Sequence, residues 1–151
     1  MPYYIKKRKS DKPRKRQTSQ STLVKKLDKV FSQYIRLRDA FPNGTFRCPT
    51  CGRILPFAKG DCSHLYSRRH MATRFDEDNC VIECAYDNRF NSEHLIKLNQ
   101  YVLNRVGETR YKMLSVKAHS IKKWSCWELE ELIKYYTVLV KKLSEEKGIK
   151  V

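Results

Sequence analysis

Two cysteines spaced by two residues, Cys48 and Cys51 in the run Phe46-Arg-Cys-Pro-Thr-Cys-Gly52, constrain this chain more than any other feature. The Pro and Gly in that run permit a tight knuckle that points two thiolates at one ion, which is half of a structural zinc site. Cys62, Cys80, Cys84 and Cys126 are scattered, and each can also serve as a small buried hydrophobe. The first residues lack the apolar region of a signal peptide, so reduced thiols are expected and metal explains the cysteines better than disulfides.

A chain of 151 residues has room for one compact domain and a tail. Lys and Arg number 32 against 16 Asp and Glu, a formal charge of +16 that calls for a polyanionic partner. Nucleic acid is favoured over membrane, because no stretch approaches the roughly 18 apolar residues of a spanning helix, and a cytoplasmic location is expected. Residues 1–20 carry eight basic residues and one acid. They read as a disordered arm in which Lys6, Lys7, Arg8, Arg14, Lys15 and Arg16 follow phosphates by counterion release, or as a tail that aids solubility.

Leu23, Leu27, Val30, Tyr34 and Leu37 recur at three- and four-residue steps, predicting a helix over 21–40 that Ser21 or Thr22 caps and Phe41-Pro-Asn-Gly44 ends. Arg36 and Arg38 flank its stripe and face solvent or phosphate, with solvent the favoured expectation. Residues 45–66 lack helical periodicity and fit two short strands joined by a loop, with a turn at Lys59-Gly60. Asp76 to Asn79 reads as a turn, and Val81 to Cys84 leads into a helix near Tyr86 or Asp87. A helix opened by Ser92 carries Leu95, Leu98, Tyr101 and Val102 and stops at Gly107. Ser125 and Glu128 have capping-box spacing before a long amphipathic pattern that lasts nearly to Gly148. Trp124 and Trp127 are expected as core or interface anchors.

The segment from Cys48 to Asn88 assembles the parts of a hydrolytic metal site. Phosphodiester hydrolysis needs a base for water, a cation for the charge growing on phosphate, and something to orient the base. His64 is the candidate base, since a neutral imidazole can accept the proton near working pH. Asn88 offers an amide oxygen of the hard type that suits Mg2+ or Mn2+. Arg68, Arg69 and Arg74 are candidate phosphate clamps, although Arg68 can equally pair with a local acid. His70 and His94 read as surface residues, with an approach to phosphate the alternative for His70.

The run Gly60-Asp-Cys-Ser-His-Leu-Tyr-Ser-Arg-Arg-His-Met-Ala-Thr-Arg-Phe-Asp-Glu-Asp-Asn79, followed by Cys84-Ala-Tyr-Asp-Asn88, resembles the NinG/Rap family of phage recombination proteins. Tyr34-Ile-Arg-Leu-Arg-Asp-Ala40 and Leu103-Asn-Arg-Val-Gly107 agree with it. The resemblance spans roughly Leu23 to Leu143. It implies a phage- or prophage-encoded, structure-specific endonuclease that resolves branched intermediates such as Holliday junctions and D-loops in a bacterial cytoplasm. It also implies a core similar to the His-Me finger (HNH) of phage endonuclease VII. Carried over, Cys48, Cys51 and Cys84 hold structural zinc, His64 is the general base, Asn79 fixes the hairpin around it, and Asn88 binds the catalytic metal.

Two positions depart from the family's pattern. Asp87 stands where a fourth cysteine is usual; a carboxylate can ligate zinc, and Cys80 or Cys62 are the alternatives. Ser63 stands where related nucleases often carry an acid, which leaves Asp61 as the candidate second ligand of the catalytic metal. The expected architecture is therefore α+β: a zinc-bound ββα-metal, treble-clef-like core over 45–92 flanked by the 21–40 helix and by C-terminal helices over 92–147, a single domain over 21–147. The expected partner is branched or duplex DNA, and a homodimer through a terminal helix suits a symmetric junction. A zinc-containing module that binds DNA without cutting it is the alternative, and RNA binding or cleavage is a third, weaker reading.

Overall fold

The computed structural model describes residues 17–151, so the basic arm from Lys6 to Arg16 lies outside the described residues. Nine elements follow in order: α1 (Gln20–Asp39), β1 (Thr45–Arg47), β2 (Ile54–Pro56), β3 (Gly60–His64), β4 (Cys80–Cys84), α2 (Ala85–Phe90), α3 (His94–Val106), α4 (Glu108–Ala118) and α5 (Cys126–Lys147). The protein is thus a mixed α+β structure with two small antiparallel hairpins, β1–β2 and β3–β4. Among the described residues no helix is long and apolar enough to cross a membrane.

Helix α1 presents Leu23, Leu27, Phe31, Tyr34, Ile35 and Leu37 to the interior, a stripe at helical spacing. Its cap is Ser19, whose hydroxyl accepts the Thr22 amide, two residues ahead of the expected Ser21. The stripe packs against α5, where Leu129, Tyr136 and Val140 are buried. Phe31 meets Phe75 and Tyr136 edge-on, with ring centroids 5.8 and 5.0 Å apart. The capping box at Ser125 and Glu128 is formed in full. Ser125→Ala should cost about 1 kcal/mol of stability, read as a lower denaturation midpoint with an unchanged slope.

Strand β4 is buried on both faces. Ile82 faces the α1–α5 core, whereas Val81 joins Leu65, Leu98, Val102 and Leu114 in a second cluster beneath α3 and α4. A Cβ at Gly60 would sit 2.6 Å from the Ile82 side chain, so only glycine lets β3 lie this close to β4.

Several expectations are corrected. Residues 45–66 hold three strands in place of two, and a 3-10 turn over Phe57–Lys59 occupies the expected Lys59-Gly60 corner. Helix α3 starts at His94 with no side-chain cap, so Ser92 does not open it. Helix α4 had no clear sequence signal: it buries only Leu114 and Ala118 and leaves Met113 and Val116 exposed. Trp124 packs inside with its indole N–H donated to the Met71 carbonyl, whereas Trp127 is exposed. Arg38 is turned away from solvent, donating to the carbonyls of Glu77 and Cys80 and pairing with Asp39.

Candidate metal centre and active site

The Cys48–Gly52 knuckle closes at the end of β1. The Gly52 amide donates back to the Cys48 carbonyl, and Gly52 adopts φ +73°, a left-handed conformation open to glycine. Strand β4 delivers Cys84 to the same place, and the first turn of α2 adds Asp87. The donor atoms of Cys48, Cys51, Cys84 and Asp87 lie within 4.8 Å of one another. Asp87 Oδ2 accepts from the thiols of Cys48 at 3.3 Å and Cys84 at 3.0 Å, and Asn91 holds its other oxygen at 3.1 Å. Geometry therefore selects Asp87 as the fourth donor, while Cys62 and Cys80 fall in a separate group.

The electrostatics of this cluster suit a cation. Burial pushes the Cys48 thiol up to about 12. Burial also acts to raise the Asp87 carboxyl, but donors from Cys84, Cys51 and Asn91 outweigh it and hold the group well below the usual carboxylate range. Three soft sulfurs and one ionised oxygen at this spacing fit zinc, whose charge would turn the thiols into thiolates. Arg53 donates to Cys51 Sγ at 3.3 Å and offsets part of the negative charge.

The second group of residues lies along the β3–β4 hairpin. His64 ends β3 with its ring half-buried, and its Nε2 stands 3.1 Å from the Arg74 carbonyl. A carbonyl can only accept, so Nε2 carries the hydrogen and Nδ1 keeps the lone pair. Burial, joined by the charge of Arg68, holds this imidazole below its ordinary value of 6.5, against the opposing bond to Arg74.

Asn79 fixes the loop that supplies this carbonyl. Its Oδ1 accepts the Tyr66 amide at 2.7 Å, and its Nδ2 donates to the carbonyls of Tyr66 and Thr73 at 2.9 and 3.0 Å. Asn79 is itself buried in a 3-10 turn over Glu77–Asn79, whose region Arg38 and Arg105 grip through the carbonyls of Glu77 and Cys80. Arg74 is not a free phosphate clamp: its guanidinium pairs with Asp28 at 2.9 and 2.5 Å and its Nη1 donates to the Arg68 carbonyl. That double anchorage places the carbonyl that His64 uses. Arg68 and Arg69 remain exposed on the same loop.

Beside His64 the surface opens into a cleft to which Cys62, Arg68, Asn88 and His94 also contribute. It adjoins a strongly polar cleft that shares Cys62, Arg68 and Asn88 and adds Arg36, Asp61 and Arg89. Asn88 Nδ2 donates to Asp61 Oδ2 at 3.1 Å, which leaves the amide oxygen of Asn88 free for another partner. Asp61 also receives a two-pronged pair from Arg89, at 2.7 and 2.8 Å. Burial acts to raise the Asp61 carboxyl, but Arg89 and Asn88 outweigh it and keep the group ionised. The fold thus gathers His64, Asn88, Asp61 and Arg68 around adjoining clefts.

Two residues of the clefts were not legible as site residues. Arg36, expected in solvent, donates to the Gly60 carbonyl, lies over the Phe57 ring, and keeps a buried Nε without a partner. His94, expected at the surface, donates through Nδ1 at 3.0 Å to Glu83, a carboxylate fully buried in β4 that also receives the Thr50 hydroxyl. Nothing local marks either one, because their partners come from other elements. His70, by contrast, is structural, its Nδ1 lying 3.0 Å from the Ala118 carbonyl.

The family model described as Bacteriophage Lambda NinG protein matches residues 4–146. No curated protein and no solved structure matches the chain.

Proposed function

The chain belongs to the NinG family of bacteriophage lambda, and from that membership we propose that it is a metal-dependent endonuclease of branched recombination DNA. The observation that carries this reading is the pinned imidazole of His64, whose Nε2–H is spent on the Arg74 carbonyl and whose remaining lone pair belongs to the residue that lines a cleft with Asn88. The order β3–β4–α2, with His64 on the first strand and Asn88 on the helix, supports a His-Me finger core.

In the proposed reaction His64 Nδ1 takes a proton from water, the resulting hydroxide attacks phosphorus, and the bond to the leaving oxygen breaks. Asn79 orients the base at one remove by fixing the loop that ends at Arg74. Asn88 Oδ1 and Asp61 would hold Mg2+ or Mn2+, which supplies charge neutralisation at the phosphate when bound. Their hard oxygen donors fit such an ion. Arg68, Arg69 and Arg36 are the guanidinium groups suited to phosphate contacts, and the basic arm adds affinity without reading sequence. Zinc held by Cys48, Cys51, Cys84 and Asp87 would have a structural role, tying the β1–β2 knuckle to the β4–α2 junction.

The pH dependence follows from the environment of His64. Folding favours its neutral ring, so the base form persists below the ordinary imidazole value of 6.5. The acid limb of kcat/KM should therefore fall below pH 6.5, and a limb above that value would contradict a desolvated base. The same neutral ring contributes stability present above the ordinary value and lost as pH falls through the lower folded-state value.

A second reading has its own observation: Asp61 is already neutralised by Arg89, and Ser63 stands buried where a ligand carboxylate would precede the histidine. In that reading the protein is a zinc-containing module that binds branched DNA without cutting it. Incubation of the protein with a labelled four-way junction and Mg2+ separates the two, since tight binding to an intact junction supports the module.

A further inference from the structure

We propose that Cys62, Cys80 and His64 form a second site for a thiophilic cation of the zinc class, distinct from the Cys48–Asp87 centre. We infer further, resting on the nuclease reading above, that an ion held there silences His64.

The register of the β3–β4 hairpin creates the site. His64 pairs directly with Cys80, and Cys62 lies two residues before His64, on the same face of β3. One donor atom from each of the three residues lies within 4.8 Å of the other two. Cys80 is fully buried and forms the floor, while Cys62 lines both adjoining clefts and gives an ion a route inward. Two buried cysteines alone would read as small hydrophobes. A histidine converging on them at the wall of an open cleft makes a three-donor set, which is the protein share of a zinc site that keeps one position open.

The chemistry sets this site apart from the hard oxygen donors beside it. Thiolate and imidazole select zinc, cadmium or copper(I), whereas Asp61 and Asn88 suit magnesium or manganese. Binding would release one proton from each thiol to solvent, so two thiolates balance a divalent charge and the imidazole binds neutral. With Nε2–H donated to Arg74, the lone pair offered to such an ion is the one at Nδ1. Ion binding and proton acceptance by His64 then exclude one another.

The test is metal counting on the full chain. Zinc per protein would be measured by native mass spectrometry after equilibration, and thiolate charge-transfer bands would be followed during cobalt titration. The wild type should bind two equivalents. C62A/C80A should bind one, and C80A, which adds no bulk at the buried position 80, should likewise lose the second. Saturation of the wild type at one equivalent overturns the proposal, as does a second equivalent that survives in both folded variants. These counts need no DNA. A junction left uncut by the wild type would sink the nuclease reading and leave the second site standing, while a single equivalent would do the reverse. Where cleavage is observed, zinc beyond the first equivalent should stop it in the wild type, and continued cleavage at two bound equivalents would overturn the silencing.

Discussion

If the proposed nuclease reading holds, His64→Ala should abolish cleavage of a four-way junction and leave its affinity for the junction within a few-fold. The two effects separate because different groups carry them. Loss of a positioned general base costs on the order of 100- to 10,000-fold in rate, and no neighbouring imidazole can replace it: His70 is spent on the Ala118 carbonyl, and His94 is tied to Glu83. In the proposed reading, affinity for the polyanion rests on exposed Arg68 and Arg69 and on the basic residues of the arm, all of which the substitution leaves in place. Folding should survive, because His64 is only half-buried and the loop around it is held independently by Asn79 and by the Arg74–Asp28 pair. Single-turnover cleavage and a gel-shift titration on the same preparation measure both quantities. Equal loss of rate and affinity would move His64 from proton acceptor to DNA-binding residue.

What was legible in the sequence follows from the range of the interactions involved. The long helices α1 and α5 declare themselves through stripes and caps that are local, although the clustered hydroxyls of Thr18, Ser19, Ser21 and Thr22 left the first cap ambiguous. The donors Cys48, Cys51, Cys84 and Asp87 were readable from spacing and resemblance, and their convergence then required the fold. The arginines were not readable. Arg74 and Arg38 share the composition of phosphate clamps, but their partners Asp28 and the Cys80 carbonyl lie 46 and 42 residues away in sequence. Sequence pattern reports which side chains are cationic; only the fold decides which are already neutralised. The same holds for the Glu83–His94 pair, which joins β4 to the start of α3, and for the approach of Cys62 to Cys80, a product of the hairpin register. Helix α4 escaped for a different reason, since a helix that buries two residues has almost no stripe to read.

Cys48→Ser should abolish cooperative unfolding of the domain around residues 45–92, and removal of metal by a strong chelator should do the same to the wild type. The argument begins with the size of the strands. β1 and β2 have three residues each, and a two-stranded hairpin of that length is marginal without further support. Their sheet is separate from β3–β4, so no strand hydrogen bonds join the two hairpins. The Cys48–Asp87 centre bridges them, with two donors from the knuckle and two from the β4–α2 junction. Structural zinc in small modules supplies folding free energy on the order of 10 kcal/mol, comparable to the whole stability of a domain this size. Serine at position 48 removes a thiolate and leaves a hydroxyl in a site that is 1 % exposed. Cys126→Ser is the control, because Cys126 opens α5 outside the cluster and should leave zinc content and melting unchanged. Calorimetry together with zinc content measures the effect, and a Cys48→Ser protein that has lost the equivalent belonging to this centre yet melts as the wild type does would show that packing, not metal, holds the knuckle.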